Sequence, residues 1–325
     1  MAGLTLRRAR INAGLRELTT EVRVSPQQFI QPHFVVEGLA ESEPVTGLSD
    51  VFRDTPESLL ARVEKDLASG TNKLLLFGVP HHKQQQDFAF DFTAQQIQRL
   101  RSAFGDDLWI AADVCLCSYT EHGHCGVLDR AEKNVHNSQS VAVLAEAAHQ
   151  YAQAGADCVA PSDMMDGRIG AIRQALDADG LDHVAVMSYS AKFHSRFYGP
   201  FRLAAESAPG GAGPADRASY QIDPARPKDA LRASLRDAEE GADVLMVKPG
   251  LPYLDVLQTL SQHTQLPLAV YQTSGEYAGI ELAAAANLMD GPAAHVEAWT
   301  AFVRAGAQMI ISYGARHAAR YLTAA

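Results

Sequence analysis

The chain has 325 residues, of which 47% are hydrophobic and 20% are charged, enough apolar residues for one large α/β domain or two smaller ones. Its net charge of −10 would repel phosphate backbones and anionic membranes, so we expect neither a nucleic-acid nor a membrane partner. Because no run approaches the roughly 18 apolar residues of a membrane helix, and the first residues lack the apolar core of a secretory signal, we expect a cytoplasmic protein.

Short apolar runs recur along the chain and predict eight strands that alternate with helices. The runs cover residues 34–36, 74–79, 108–115, 158–160, 184–189, 244–247, 268–271 and 309–311. Helical spacing appears in 57–68, 93–104, 138–154, 167–178, 228–240, 253–263 and 296–305. This repeated βα unit predicts a (β/α)8 TIM barrel, an α/β fold, more than it predicts a doubly wound sheet.

Two segments do not fit the barrel repeat. Residues 1–30 precede the first predicted strand, and we expect an extended N-terminal arm that contacts another subunit, followed by a catalytic barrel over residues 31–325. Within the barrel, the connection 193–227 is far longer than a barrel loop needs. It is rich in glycine, proline, aromatic residues and arginine, which favours an active-site lid that closes over an anionic ligand.

Three of the four cysteines lie within eleven residues, which favours metal or redox use over a disulfide framework. On a strand, Asp113, Cys115 and Cys117 would face the same side, and a turn through Gly123 can return Cys125 to them. Three thiolates suit zinc, and a three-ligand site leaves a coordination position open, as catalytic zinc sites do. The alternative is a set of buried structural cysteines.

The residues beside this cluster allow other interpretations. His122 and His124 are either additional ligands or solvated loop residues, and we expect His122 to be solvated. Cys158 begins an apolar run and is expected to belong to the core.

Two lysines follow apolar strands. Lys248 closes the run 244–247 directly before a Pro-Gly pair, and Lys192 lies just past the run 184–189. A single lysine there could extend its ammonium group to solvent. Two lysines at one mouth would repel each other, which lowers an ammonium pKa and frees an amine to attack a carbonyl. The pair therefore predicts Schiff-base chemistry.

Reactive side chains gather where the predicted strands end. In a TIM barrel, chemistry takes place at the carboxyl ends of the strands. Those ends carry Asp113, Cys115, Cys117, Ser162, Asp163, Lys192, Lys248, Ser274 and Tyr313. We therefore expect one active site on this rim.

With these residues assembled, the chain resembles the zinc-dependent delta-aminolevulinic acid dehydratases, also called porphobilinogen synthases, over about residues 34–313. The motifs that carry the resemblance are Asp113-Val-Cys-Leu-Cys117, His122-Gly-His-Cys-Gly126, Ala160-Pro-Ser-Asp-Met-Met-Asp-Gly-Arg168, Tyr189-Ser-Ala-Lys-Phe193, Phe197-Tyr-Gly-Pro-Phe-Arg202, Met246-Val-Lys-Pro-Gly250 and Tyr271-Gln-Thr-Ser-Gly-Glu276.

The resemblance implies a lyase of the hydro-lyase class. Such an enzyme condenses two molecules of 5-aminolevulinate into porphobilinogen with loss of two water molecules, in tetrapyrrole (haem) biosynthesis. It also implies a TIM barrel with an arm that embraces a neighbouring subunit, a homo-octamer and an allosteric enzyme.

The same resemblance implies roles for individual residues. Lys248 matches the lysine that forms a Schiff base with the first substrate, and Lys192 matches its partner at the second substrate. The zinc ligands fall on Cys115, Cys117 and Cys125. The groups for the first substrate's carboxylate fall on Ser274 and Tyr313, and those for the second fall on Arg202, Arg217 and Gln221. Asp113 and Ser162 become polar residues of the pocket wall, with proton transfer or amino-group orientation as their roles.

The sequence departs from the family pattern at two metal positions. The glutamate that binds allosteric magnesium in many bacterial members falls on Ala233, so we do not expect magnesium activation. A cysteine that some members use in a second zinc site falls on Ser219.

Two other functions remain open from the residues alone. A class I aldolase on the same barrel needs one lysine and no zinc, so it leaves Lys192 and the cysteines unexplained. A zinc-stabilised scaffold would leave both lysines without a role.

Overall fold

The structure, a computed structural model, describes residues 6–324; residues 1–5 of the predicted arm and residue 325 lie outside this range. Its strands are β1 Phe29–Val36, β2 Glu43–Pro44, β3 Phe52–Asp54, β4 Lys73–Val79, β5 Trp109–Val114, β6 Cys158–Pro161, β7 Ala185–Lys192, β8 Val244–Lys248, β9 Leu268–Gln272 and β10 Met309–Ser312. Its α-helices are α1 Arg8–Ile11, α2 Ala13–Leu18, α3 Pro56–Ala68, α4 Asp91–Phe104, α5 Asn137–Gln153, α6 Arg168–Ala178, α7 Gly199–Ala204, α8 Pro227–Glu239, α9 Leu254–His263, α10 Ser274–Ala285, α11 Gly291–Arg304 and α12 Ala318–Ala324.

Eight of the strands form a closed parallel barrel. Strands β4 to β10 pair in sequence order, β4 pairs with β1, and β1 pairs with β10 through Phe29 opposite Ile310 and Ile30 opposite Ile311. That last pairing closes the sheet, so the predicted TIM barrel is confirmed. The two remaining strands, β2 and β3, form a short antiparallel pair beside β1. Strands of two and three residues are too short to show in a pattern of alternation.

Strand β1 begins five residues earlier than the apolar pattern predicts. Gln31 and His33 interrupt the apolar run, yet both are buried. The structure gives each side chain a polar partner: the Gln31 side-chain Oε1 atom accepts the backbone N–H of Arg316 at 3.0 Å, and His33 Nε2 lies 2.9 Å from the Asp66 carboxylate. A buried polar group is tolerated where it has such a partner, and this tertiary contact is invisible in the sequence.

Helix α10 was absent from the predicted helices. It is rich in alanine and has little contrast between an apolar and a polar face, so spacing alone does not indicate it. Its start is nevertheless encoded, because Thr273 and Glu276 form a capping box.

The strands present one face to the barrel interior and the other to the surrounding helices. On β8, Val244 and Met246 belong to the interior cluster, whereas Leu245 and Val247 pack outward. Alternation then aims Lys248 along the interior face, above Met246. The lysine therefore caps the interior stack at the carboxyl end of its strand.

Strand β7 carries an irregularity that re-aims its last residue. Ser188 pairs with Leu245 and Ala191 pairs with Val247, so β7 has one more residue than β8 between these two pairs. A β-bulge of this kind shifts the alternation by one. Ala191 consequently faces the outer cluster with Val247, and Lys192 faces the same side as its partner Lys248.

The segments outside the barrel are short. Helices α1 and α2 are exposed along their length, and helix α7 lies within the long connection 193–227. No helix within residues 6–324 is both long enough and apolar enough to cross a bilayer.

A buried ion pair joins α6 to α8 beneath the rim. Arg168 Nη2 lies 2.9 Å from the Asp237 carboxylate, and neither side chain is exposed. Ser188 of β7 donates to Asp237 at 2.6 Å and accepts from Arg168 at 3.1 Å. Removing one partner of such a pair leaves an uncompensated buried charge.

Asp237→Ala should lower the free energy of unfolding by about 3–5 kcal/mol, because Arg168 would keep its buried charge without its nearest counter-ion. Denaturant unfolding measures the change. The matched control is Asp229→Ala on the same helix, whose pair with Arg226 is exposed to solvent and should contribute less than about 1 kcal/mol. Equal losses in the two variants would contradict this account.

Candidate active site

The predicted site residues lie at the carboxyl rim of the barrel or on the connections that cover it. Lys192 ends β7, Lys248 ends β8, and Tyr313 follows β10. Asp113 lies within β5 and Ser162 follows β6. The cysteines are on the connection after β5, Ser274 is the first residue of α10, and the remaining three lie in 193–227: Arg202, Arg217 and Gln221.

The two lysines are neighbours across the β7–β8 pairing. Both are buried, at 5% exposure for Lys192 and 4% for Lys248. Their amines share one aromatic ring, because Tyr189 lies 5.6 Å from Lys192 Nζ and 5.0 Å from Lys248 Nζ, measured to the ring centroid. The structure thus brings both amines into one space, as two lysines at one mouth require.

The surroundings of Lys248 favour a neutral amine. Its Nζ lies 4.0 Å from the centroid of Tyr271 and 4.9 Å from that of Phe201. Burial, followed by the positive charge of Lys192, lowers the pKa of Lys248 to about 7, although the Asp113 carboxylate opposes the shift. An amine with this pKa is a nucleophile near neutral pH.

Lys192 is held differently. Its Nζ donates a hydrogen bond to the backbone carbonyl of Ser162, on the strand connection beside it. A carbonyl oxygen accepts a hydrogen bond from an amine or an ammonium group, so this contact orients Lys192 toward the rim.

Asp113 supplies the negative charge between the lysines and the cysteines. Burial raises its pKa to about 6, and the charges of Lys192 and Lys248 restrain that rise. Within the described chain its Oδ1 atom is buried without a hydrogen-bond partner. A carboxyl group with this pKa can take up or release a proton near neutral pH.

The three cysteines converge as predicted. Cys115, Cys117 and Cys125 are buried, and their sulfur atoms lie within 4.8 Å of one another, with 3.3 Å between Cys115 and Cys117. A tetrahedral zinc ion with Zn–S bonds of about 2.3 Å spaces its sulfurs about 3.8 Å apart. The donor set and its spacing fit a thiophilic metal ion, and small side-chain adjustments would complete the geometry.

The charges around the cluster favour a thiolate. Hydrogen bonds from Cys115 and Cys117, together with the charge of Arg217, hold the pKa of Cys125 well below its usual range, whereas burial raises the pKa of Cys115. Cys158 is separate from the cluster and lies in the barrel interior, where burial raises its pKa to about 12.

The expectation that His122 is solvated is wrong. His122 is 4% exposed and His124 is fully buried. Neither joins the sulfur cluster; instead they hold the long connection 193–227. His124 contacts the Pro214 carbonyl at 2.9 Å and the Tyr220 hydroxyl at 3.0 Å, and the N–H of Gly210 donates to the His122 carbonyl. The sequence shows two histidines beside cysteines, a pattern that does not distinguish ligands from such tethers.

Arg217, Arg202 and Gln221 form the polar side of the connection. Arg217 is 2% exposed and donates to the carbonyls of Gly123 and Ser207. Burial and the charge of Arg217 lower the pKa of Arg202. Among the described residues, the buried amide of Gln221 has no hydrogen-bond partner at either its nitrogen or its oxygen. Two neighbouring guanidinium groups and an unpaired amide fit an anionic, hydrogen-bonding ligand.

Ser274 and Tyr313 lie on the connections that follow β9 and β10. Both are 1% exposed. The Ser274 hydroxyl accepts the N–H of Phe201 at 3.1 Å, and the Tyr313 hydroxyl accepts from Tyr271 at 3.3 Å. Both hydroxyls therefore lie beside Phe201 and Tyr271, two of the aromatic residues that surround Lys248. The sequence analysis did not predict this aromatic wall. Aromatic residues at the strand ends, Tyr189 and Tyr271, were the available signal.

The chain is similar to known proteins over nearly its whole length. A family model described as delta-aminolevulinic acid dehydratase matches residues 4–321. The delta-aminolevulinic acid dehydratase of Helicobacter pylori is 42% identical over 322 residues, covering 98% of each chain, and that of Bacillus subtilis is 39% identical over 320 residues, covering 97% of each. A crystal structure of the Toxoplasma gondii enzyme, in complex with the reaction product porphobilinogen, aligns with a TM-score of 0.94 at 38% identity, covering 98% of this chain and 91% of that one.

Trapping a small keto acid, pyruvate, with cyanoborohydride should label Lys248 with a rate that rises through a pH of about 7, because only the neutral amine attacks the ketone. Peptide mapping after reaction at a series of pH values measures this profile. In Lys192→Met the inflection should move to higher pH, because the neighbouring charge that lowers the pKa of Lys248 is gone. An inflection near the ordinary lysine value of 10.5, or one that Lys192→Met leaves in place, would contradict the paired-amine account.

Proposed function

The chain belongs to the delta-aminolevulinic acid dehydratase family of lyases, and we propose that it condenses two molecules of 5-aminolevulinate into porphobilinogen in tetrapyrrole (haem) biosynthesis. The reaction loses two water molecules. The observation that carries the proposal is the pair of buried amines, Lys192 and Lys248, opposite each other on β7 and β8. Each can engage one ketone, so one rim can hold both substrates.

The first substrate would bind at Lys248. Its neutral amine attacks the ketone and forms a Schiff base with loss of water. The carboxylate of this substrate would accept hydrogen bonds from Ser274 and Tyr313, the buried hydroxyls beside the same aromatic wall. Tyr189, Tyr271 and Phe201 exclude water from the amine, which protects the Schiff base from hydrolysis.

The second substrate would bind at Lys192, with its carboxylate against Arg202, Arg217 and Gln221. The unpaired amide of Gln221 and the neighbouring guanidinium groups support this assignment. Because these three residues lie on the proposed lid 193–227, substrate binding would add contacts between the lid and the rim.

Asp113 and Ser162 complete the proposed pocket wall. The pKa of Asp113 is raised to about 6, so its carboxyl group can hold or release a proton between the two amines. Ser162 orients Lys192 through its carbonyl. We assign proton transfer to Asp113 and orientation of Lys192 to Ser162.

Zinc is the metal that the cysteine cluster fits best. Cys115, Cys117 and Cys125 would hold the ion, and three protein ligands leave one coordination position for a substrate oxygen or water. A bound zinc ion would supply a Lewis acid beside the second substrate. We do not propose activation by magnesium, because Ala233 stands where a carboxylate would be needed.

The remaining proposals concern assembly and location. We propose an allosteric homo-octamer in the cytoplasm, in which the arm 1–30 packs on a neighbouring subunit. Leu6, Ile11, Leu15 and Leu18 expose their apolar side chains on this arm, which supports an intermolecular contact.

The purified protein should convert 5-aminolevulinate to a pyrrole, detected by its colour reaction with an aromatic aldehyde. A chelator should abolish activity and added zinc should restore it. Cys125→Ala should lose the bound metal, and activity should fall by at least about 100-fold, because two thiolates hold zinc weakly.

The matched control is Cys158→Ala, which alters a cysteine outside the cluster and should retain one zinc ion per chain by metal analysis. Product formation that is insensitive to chelation and to Cys125→Ala would rule out the zinc assignment. No pyrrole product from the metal-loaded protein would rule out the proposed reaction.

A further inference from the structure

The carboxylate of Glu276 accepts more hydrogen bonds than a helix cap requires. Glu276 is the third residue of α10 and is 4% exposed. As in an ordinary capping box, its Oε2 atom accepts the N–H of Thr273 at 2.6 Å, and it also accepts the Thr273 hydroxyl at 2.7 Å. These bonds fix the start of α10, and thus Ser274.

The same carboxylate reaches a second connection. Its Oε2 atom accepts the N–H of Gly250 at 3.2 Å, and its Oε1 atom accepts the N–H of Leu251 at 2.5 Å. These residues follow Lys248 by two and three positions. Glu276 therefore joins the segment that leaves β8 to the segment that leaves β9.

The segment that follows Lys248 packs tightly against the barrel, so moving it away would be costly. Gly250 lies so close to the core that a Cβ atom there would meet the Phe302 ring at 2.6 Å and Val270 at 3.0 Å. A buried carboxylate that accepts four hydrogen bonds is also costly to leave unsatisfied. Burial raises the pKa of Glu276, and the Thr273 hydroxyl and the surrounding N–H groups oppose that rise.

The start of α10 also contacts the proposed lid 193–227. The N–H of Gly275 donates to the Phe197 carbonyl at 2.9 Å, and the Ser274 hydroxyl accepts the N–H of Phe201. A Cβ atom on Gly275 would lie 2.8 Å from the Phe197 backbone, so the two segments approach each other as closely as glycine permits. Glu276 thereby determines where Ser274, the lid and the Lys248 segment lie relative to one another.

We propose that Glu276 is a positioning residue that sets the distance between the Lys248 amine and the carboxylate-binding hydroxyl of Ser274, and so selects the chain length of the keto acid. This inference rests on the proposed function. In 5-aminolevulinate, two methylene groups separate the ketone from the carboxylate. An amine and a hydroxyl held at a fixed separation would accept that spacing and reject a keto acid with one methylene more, since displacements of about 1 Å alter reactivity strongly.

Glu276→Gln tests the inference with little change in size. The amide keeps one oxygen acceptor and places an NH2 group where the other oxygen was. If the oxygen stays with the Thr273 donors, the NH2 group faces the N–H of Leu251, and two donors oppose each other. The bond from Leu251 is then lost, and the segment after Lys248 keeps only the longer Gly250 contact of 3.2 Å to α10.

The measurement is competitive trapping at Lys248. The zinc-loaded protein reacts with 4-oxopentanoate, which has the substrate's spacing, and with 5-oxohexanoate, which is one methylene longer, in the presence of cyanoborohydride; mass spectrometry of the Lys248 peptide gives the ratio of adducts. The unsubstituted protein should prefer 4-oxopentanoate by about tenfold or more. In Glu276→Gln this ratio should fall by at least about threefold. A loss of folded protein alone lowers both adducts together and leaves the ratio unchanged.

Two further variants sharpen the result. Glu281→Gln makes the same exchange on the same helix, where Glu281 contacts His295, and should retain the ratio. Thr273→Val removes the hydroxyl that donates to the Glu276 carboxylate and, in the capping box, accepts the N–H of Glu276, with little change in shape. It should shift the ratio in the direction expected for Glu276→Gln, and it tests the inference if Glu276→Gln does not fold. An unchanged ratio in the folded variants at Thr273 and Glu276 would overturn the positioning role. Absence of a Lys248 adduct in the unsubstituted protein would instead overturn the proposed function.

Discussion

The site depends on the parallel pairing of β7 with β8, which places two buried lysines side by side. One extra residue in β7 turns Lys192 toward the face that Lys248 already occupies. Two ammonium groups in so small and apolar a space repel each other, so the pairing selects a state in which one amine is neutral. Burial and the charge of Lys192 lower the pKa of Lys248 to about 7, while the Ser162 carbonyl engages Lys192. The backbone, through the strand pairing and the Ser162 carbonyl, therefore gives the two amines different surroundings.

A second set of contacts connects the cysteine loop to the connection 193–227. His124 bonds to Pro214 and Tyr220, and Arg217 bonds to Gly123, which lies between Cys117 and Cys125 in sequence. Gly123 has a φ of +70°, and a Cβ atom there would meet the Ala208 carbonyl at 2.4 Å. The loop that gathers the sulfurs and the segment that carries the proposed carboxylate-binding arginines are thus one packed unit. A substitution in either segment would therefore alter the position of the other.

Much of the barrel was predictable because βα repeats encode it locally. Apolar runs and helical spacing located the eight barrel strands and most of the helices around them. The sequence predicted that Lys192 and Lys248 share a mouth and that three cysteines converge, since both follow from the topology of a parallel barrel. The bulge that aims Lys192 was not predictable, because a one-residue register shift depends on pairing between strands. His122 was misjudged for a related reason: it is covered by the connection 193–227, far along the chain, where Gly210 donates to its carbonyl. Glu276 was recognisable only as the last residue of a family motif, since its bonds to Gly250 and Leu251 arise between the connections of neighbouring strands.

The most direct measurement of the central claim is a crystal structure of the zinc-loaded protein after borohydride reduction in the presence of 5-aminolevulinate. The account predicts continuous density from Lys248 Nζ to the former ketone carbon, with the ligand carboxylate at the hydroxyls of Ser274 and Tyr313. A reduced adduct on Lys192 alone, on a lysine away from the barrel rim, or with its carboxylate remote from Ser274 would contradict the account.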